Sequence, residues 1–231
     1  MVVSNRLPVD FTVAADGTVK WKRAPGGLVT ALEPVMQESD GAWIGWSGAP
    51  GLEHPAFEAD NMWLVPVTLS ADEIEEYYEG FSNDTLWPLY HDVVATPTYH
   101  REWFAAYRIV NQRFADAAVA AAAQGATVWI HDYQLQLVPR MIREARPDLR
   151  IGFFDHIPFP PVELFSQLPW RRQIIEGLLG ADLIGFQRAG DASNFVRAVR
   201  RLTGNVTKGS AITLINTDGT RGRTVRADAF P

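Results

Sequence analysis

The sequence predicts an α/β fold, an open and mostly parallel sheet with helices on both faces. Three observations carry this expectation. Short β-branched or aromatic runs alternate with longer helical patterns along the whole chain, and strands separated in that way are joined by right-handed crossovers that leave neighbours parallel. At 231 residues, 47% of them hydrophobic, the chain can fill a substantial core. It shows no internal repeat, heptad array or low-complexity linker, so one Rossmann-like unit over residues 1–231 is expected.

The elements follow in order. Val2–Ser4 is a short β-branched strand, and Leu28–Gln37 a helix on the 3.6-residue period. Trp43–Trp46 and Trp63–Val67 read as strands, and Ala71–Glu79 as a helix. The run Glu76–Asn83, leading to Leu86-Trp87-Pro88, is an aromatic, amide-rich connection that is costly to display unless it contacts something. His100–Ala123 is a helix whose alanine-rich end can pack close to a sheet, and Gln124-Gly125 reads as its glycine C-cap. Strands at Thr127–Ile130, Ile151–Asp155 and Leu183–Phe186 alternate with helices at Leu135–Arg146, Arg171–Leu179 and Ala192–Leu202. Asn216–Arg223 is a polar turn between two strand-like runs, the second being Thr224–Ala229, and predicts a hairpin.

Composition excludes several functions. Without cysteine there is no disulfide scaffold, no thiolate metal site and no thiol nucleophile. With 21 Lys+Arg against 27 Asp+Glu the net charge is −6, which repels a long nucleic-acid backbone. Any anion must be held by a few local residues. The opening MVVSNRLPVD has neither the basic nor the apolar region of a signal peptide, and no run is apolar enough to span a bilayer. A cytoplasmic protein is expected, with no membrane or nucleic-acid partner.

In open α/β sheets, ligands bind beyond the carboxyl ends of the strands. After the first strand comes Ser4-Asn5-Arg6, where Arg6 could grip a phosphate with its planar fork or be an ordinary surface arginine. Gly26-Gly27 opens a helix, a place where backbone N–H groups favour an anion, although a plain turn fits as well. In Trp43-Ile44-Gly45-Trp46, alternation makes Trp43 a core residue and leaves Trp46 as a possible platform for a sugar ring. Asp132 follows a strand beside His131, placed to accept hydrogen bonds or a proton, or simply to cap a helix. His156 leaves the next strand ahead of the stiff Pro158-Phe159-Pro160-Pro161. A metal phosphohydrolase reading of His131-Asp132 lacks further ligands at a suitable spacing, so no metal and no cofactor is expected.

Taken in order, SNRLP, GGL, WIGWSG, EYYEGFSNDTLWP, WIHDYQL, RIGFFDHIPFP and LIGFQ closely resemble the trehalose-6-phosphate synthases, retaining glycosyltransferases of the GT-B fold. The resemblance runs from Val2 to Pro231. It implies the N-terminal, acceptor-binding lobe of such an enzyme, which transfers glucose from a nucleoside-diphosphate glucose, UDP-glucose being the expected donor, to glucose 6-phosphate. By that likeness Arg6 contacts the acceptor phosphate, while Trp46, Tyr78 and Trp87 complete the acceptor pocket. Asp132 contacts sugar hydroxyls, and His156 contacts the donor glucose. Gly26 and Gly27 approach the donor diphosphate. Asp132 and His156 are then the catalytic pair, in a reaction that retains configuration without an evident protein nucleophile. Family members commonly self-associate, so a homo-oligomer is a possible state.

Three departures from the family pattern stand out. Gln134 replaces a common histidine, and Asp155 replaces a hydrophobic residue before His156, where it is expected to raise the imidazole pKa. The sequence stops at Pro231, where the family continues into a second, nucleotide-binding lobe; an isolated first lobe is expected to show little turnover. The alternative expectation is a non-catalytic sugar-phosphate-binding module.

Overall fold

The computed structural model describes residues 1–13, 16, 19–39, 41–92 and 96–231. Strand β1 (Val2–Arg6) is buried along four of its five residues. A hairpin, β2 (Val9–Val13) with β3 (Val19–Arg23), follows as a separate two-stranded sheet. Helix α1 (Gly27–Glu38) leads to β4 (Ala42–Trp46), β5 (Phe57–Ala59) and β6 (Met62–Val67). Ser70 caps α2 (Ala71–Glu73) in a reciprocal capping box with Glu73.

At Ile74 the chain widens into a π-helix, Ile74–Leu86, and then narrows to α3 (Trp87–His91). The connection expected at Glu76–Asn83 is therefore helical. Tyr77, Phe81 and Leu86 pack into the core on the wider turn, and the Ser82 hydroxyl donates to the Tyr77 carbonyl five residues back at 2.8 Å. A 3.6-residue period does not describe this register.

Helix α4 (Arg101–Ala121) ends earlier than expected, with Ala122 extended at its C-cap. Gly125 is not that cap: it adopts φ +67° in the turn beyond, its amide held by Asp148 at 2.9 Å. After β7 (Thr127–His131) the expected helix Leu135–Arg146 is divided. A 3₁₀ turn, Tyr133–Leu135, precedes α5 (Val138–Ala145), because Pro139 fits a first helical turn but would break a helix already under way. The chain continues with β8 (Arg150–Asp155), α6 (Val162–Phe165), α7 (Arg171–Leu178), β9 (Leu183–Phe186) and α8 (Ala189–Leu202). It closes with β10 (Val206–Lys208), β11 (Ala211–Ile215) and β12 (Arg221–Ala229), the last two forming the expected hairpin.

The main sheet has ten strands in the order β10-β11-β12-β9-β8-β7-β1-β4-β6-β5. Pairing is parallel from β12 across to β6 and antiparallel at the two edges. From β1 the chain builds outward through β4 and β6, then returns to the other side of β1 with β7 and builds the opposite way. The topological switch lies between β1 and β7, so the carboxyl ends of β1, β4, β7 and β8 open on one crevice. The larger core fills the face under α4, α5, α7 and α8, and a smaller one lies beneath α1. Among the described residues no helix is long and apolar enough to cross a membrane.

Close strand packing fixes the exit of β1. A Cβ on Gly45 would lie 2.5 Å from Leu7 N and 2.6 Å from Arg6 C, and backbone atoms cannot swing aside as a side chain can. Gly45→Ala is expected to destabilise the protein by about 1–3 kcal/mol, the usual cost of overpacking. Urea unfolding checks this; a change within error would show that β1 and β4 have slack there.

Candidate functional site

The rim begins at Arg6, where β1 emerges from the core. Its side chain is 47% exposed and pairs with Asp10 at 3.1 Å, while the guanidinium carbon lies 5.0 Å from the centre of the Trp46 ring. Gly48, at φ +88°, leaves the space that the guanidinium occupies. Trp46 faces Tyr78 of the π-helix, with ring centres 6.3 Å apart, and donates its indole N–H to the Ala49 carbonyl at 3.2 Å. Alternation does separate the two tryptophans, but not into core and surface. Trp43 packs in the smaller core and Trp46, 5% exposed, in the larger one, so little of the Trp46 ring is open beyond the part that Arg6 covers. Arg6, Trp46 and Tyr78 form one continuous wall.

A second cluster surrounds Asp132. Its backbone sits at φ 77°, ψ 166°, a conformation nearly confined to glycine. One carboxylate oxygen accepts the Tyr133 amide at 3.0 Å and the His156 amide at 3.2 Å. Both readings of Asp132, helix-turn cap and rim carboxylate, therefore hold together geometrically. Burial pushes its pKa up, and the His156 ring, the two amides and His91 draw it back. His91 in turn packs against Trp87, ring centres 4.1 Å apart and planes tilted by 31°, and Trp87 is 41% exposed. The two clusters are joined through Tyr133, whose hydroxyl donates to Asn83 on the π-helix at 3.0 Å.

Beneath this rim lies a buried polar layer. The Tyr107 hydroxyl donates to the Tyr133 carbonyl at 2.7 Å and accepts the Gln136 amide at 3.0 Å. Asn111 donates to the Gln134 carbonyl at 2.9 Å and accepts the Leu137 amide at 3.0 Å. Every backbone group between Asp132 and α5 that these bonds satisfy would otherwise be orphaned in the core.

His156 lies on the other side of the sheet's rim, with Nε2 at 3.0 Å from Nδ1 of His131. A cavity of about 530 Å³ opens there between Leu28 and Leu32 of α1, the strand residues Trp129 and Phe154, and His156 just beyond β8. Gly26, extended at φ 172°, precedes the first turn of α1, which carries no acidic residue and no side-chain cap. A Cβ on Gly27 would meet nothing within 4 Å, so the helix start faces open space. The structure thus places His156 in the lining of this cavity, Gly26 and Gly27 outside that lining at the start of the helix that borders it, and Arg6, Trp46, Tyr78 and Asp132 on the adjoining rim.

The expectation for Asp155 is corrected. Strand alternation turns it away from His156 into the core, where it is fully buried and neither carboxylate oxygen completes a hydrogen bond. The nearby Ile157 amide offsets only part of the cost, and burial raises the carboxyl pKa far above its ordinary value. The His156 pKa is lowered, not raised, because burial outweighs the opposing Asp132 charge. Sequence reasoning missed Asn83, His91, Tyr107 and Tyr133 as partners in the site. Only Tyr133, adjacent to Asp132, carried a local signal. Among the described residues no three His, Asp or Glu side chains gather to hold a metal ion.

The model of glycosyltransferase family 20 matches residues 1–231. The chain belongs to that family. A trehalose-6-phosphate synthase of Mycobacterium sp. (strain KMS) is 57% identical over 234 residues, covering 100% of this chain and 48% of the relative. Another, from Mycolicibacterium gilvum (strain PYR-GCK), is 62% identical over 213 residues, covering 90% of this chain and 42% of the relative. The chain spans about half the length of the curated relatives it matches. An E. coli structure bound with UDP-2-fluoro glucose superposes with a TM-score of 0.84 at 31% identity, covering 100% of this chain and 48% of that one. A UDP-forming α,α-trehalose-phosphate synthase from Burkholderia xenovorans, in complex with glucose-6-phosphate, gives a TM-score of 0.80 at 30% identity, covering 100% and 48%. The mostly parallel sheet expected from the sequence is the one these family members share.

Burial of Asp155 is expected to make stability depend on pH. The unfolded chain releases the carboxyl proton above its ordinary pKa of 3.8, whereas the folded protein, with the pKa raised, keeps it. Folding must then take up a proton, so stability falls as pH rises above that value, by at most about 1.4 kcal/mol per pH unit. Asp155→Asn removes the titration. Its stability relative to the parent is expected to climb by about 1–3 kcal/mol between pH 5 and pH 8 in urea unfolding; a pH-independent difference would contradict the buried neutral acid.

Proposed function

We propose that this chain is the acceptor-side lobe of an α,α-trehalose-6-phosphate synthase, transferring glucose from UDP-glucose to glucose 6-phosphate with retention of configuration. The observation that carries the reading is the convergence of Arg6, Trp46, Tyr78 and Asp132 on one rim at the switch point of the sheet. The names and bound ligands of the family members above agree with it.

Each role follows from chemistry. Arg6 exchanges Asp10 for the acceptor phosphate. That exchange is favourable because an exposed ion pair contributes only about 0–1 kcal/mol, while a guanidinium meets a phosphate through two parallel hydrogen bonds. Trp46 offers apolar surface to the hexose, and Tyr78 and Trp87 add ring-edge donors. Asp132 accepts hydrogen bonds from sugar hydroxyls. Gly26 and Gly27 bring the donor diphosphate to the N-terminus of α1, whose free N–H groups face the developing negative charge. His156 contacts the donor glucose.

In the reaction the bond from the anomeric carbon to the diphosphate breaks with oxocarbenium character. The acceptor hydroxyl adds on the face the diphosphate leaves, and its proton passes to the departing group. Catalysis is orientation plus stabilisation of that charge, and no residue is assigned as a nucleophile. One rim can hold the acceptor but cannot bury the donor, so the chain alone is expected to bind glucose 6-phosphate and to turn over little. The second reading, a non-catalytic sugar-phosphate module, shares the acceptor site and differs only in turnover with a facing lobe.

Calorimetry with glucose 6-phosphate tests the acceptor site. Saturable binding is expected, weakened about 10- to 100-fold in Arg6→Ala, the loss of a charged hydrogen bond. No binding, or equal binding by both proteins, would remove the assignment.

A further inference from the structure

The two histidines at the ends of β7 and β8 form a hydrogen-bonded pair whose polarity the surrounding atoms decide. His131 is 1% exposed, and its Nε2 is sealed from solvent with no hydrogen-bond partner. Its Nδ1 lies 3.0 Å from His156 Nε2. The ring planes are within 26° and the centroids 5.3 Å apart, so the contact runs edge to edge along the shared plane and is a true hydrogen bond rather than a face-on stack. Only one ring can donate.

Were His131 the acceptor, its single proton would sit on Nε2, an N–H donor buried without a partner. Were it the donor, Nε2 would be a bare lone pair, again unpartnered but of the kind interiors tolerate more readily than an orphaned N–H. The second arrangement also makes His156 Nε2 an acceptor and puts the His156 proton on Nδ1, which makes no hydrogen bond with any described residue.

We propose that His131 is a positioning residue for His156: by donating from Nδ1 it fixes the His156 proton on Nδ1, the nitrogen of this cavity-lining ring that no described residue engages. Burial keeps both rings neutral near pH 7, His131 with a pKa lowered to about 3 and His156 lowered as well. The groups acting on the pair's charge state are Asp132, which opposes the drop at His156, and the two imidazoles themselves. Trp129 and Phe154 supply the apolar walls, with ring centres 4.7 Å from His131 and 4.8 Å from His156.

The consequence for ligand choice rests on the proposed function. A donor N–H suits a sugar hydroxyl oxygen or a diphosphate oxygen, whereas a bare nitrogen would meet their lone pairs with its own. The tautomer itself does not depend on that reading, and the test reads it directly.

Two-bond ¹H–¹⁵N correlation spectra of the histidine-labelled chain at pH 7.5 report which ring nitrogen is protonated. His156 is expected as the Nδ1–H tautomer in the parent. In His131→Phe it is expected to revert to the Nε2–H form that free imidazoles favour. His131→Asn, whose amide can donate from the position of Nδ1, is expected to restore Nδ1–H, a rescue that a purely structural role would not give. Nε2–H in the parent, or the same tautomer in the parent and His131→Phe, would overturn the proposal. Either result stands whether or not glucose 6-phosphate binds.

Discussion

The rim depends on one backbone position. Asp132 holds φ 77° and ψ 166°, a conformation that costs a residue with a Cβ about 1–3 kcal/mol and persists only where its surroundings over-determine it. Here they do. The Asp132 amide donates to the Phe154 carbonyl at 2.8 Å, which anchors the end of β7 to β8. Beneath, Tyr107 and Asn111 on α4 fasten the turn that follows through four buried hydrogen bonds. The strained residue therefore cannot relax without unpairing core polar groups, and its carboxylate is left bridging the Tyr133 and His156 amides. Relaxing Asp132 would also release the Tyr133 and His156 amides that its carboxylate holds.

Charge is handled locally rather than globally. A chain of net charge −6 has no long-range attraction for a sugar phosphate, and Arg6 is kept in place by Asp10 and the Trp46 face. The carboxylates divide by environment. Asp132 is buried but compensated by amides and imidazoles, and serves the rim. Asp155, at the end of the neighbouring strand, is fully buried with no completed hydrogen bond, and burial together with the Asp132 charge raises its pKa well above the ordinary value.

Much of the fold was legible because its physics is local or strictly periodic. Strands β1 and β4 are buried on both faces and read as nearly continuous apolar runs, β7 and β8 bury alternate residues, and Leu183–Phe186 was located to the residue. The paired strands β2 and β3 were not read although their residues alternate, and the π-helix was not read because its wide turn obeys no 3.6-residue rule. In the site, Arg6, Trp46, Asp132 and His156 were visible as residues ending or following strands, and the family likeness supplied their roles. What could not be read were the long-range partners. Tyr107 and Asn111 look like ordinary inward positions of a helix, and the His131–His156 bond joins residues that only strand register brings together. The direction of Asp155 was misjudged because adjacency in sequence suggested contact, where a strand sends neighbours to opposite faces.

The most direct test is a crystal structure of this chain with glucose 6-phosphate. The phosphate is expected on Arg6, displacing Asp10, with the hexose between the Trp46–Tyr78 wall and the Asp132 carboxylate and with Asp132 still at positive φ. A sugar phosphate bound elsewhere, or an Asp132 that relaxes to an ordinary extended conformation while the ligand stays in place, would contradict it.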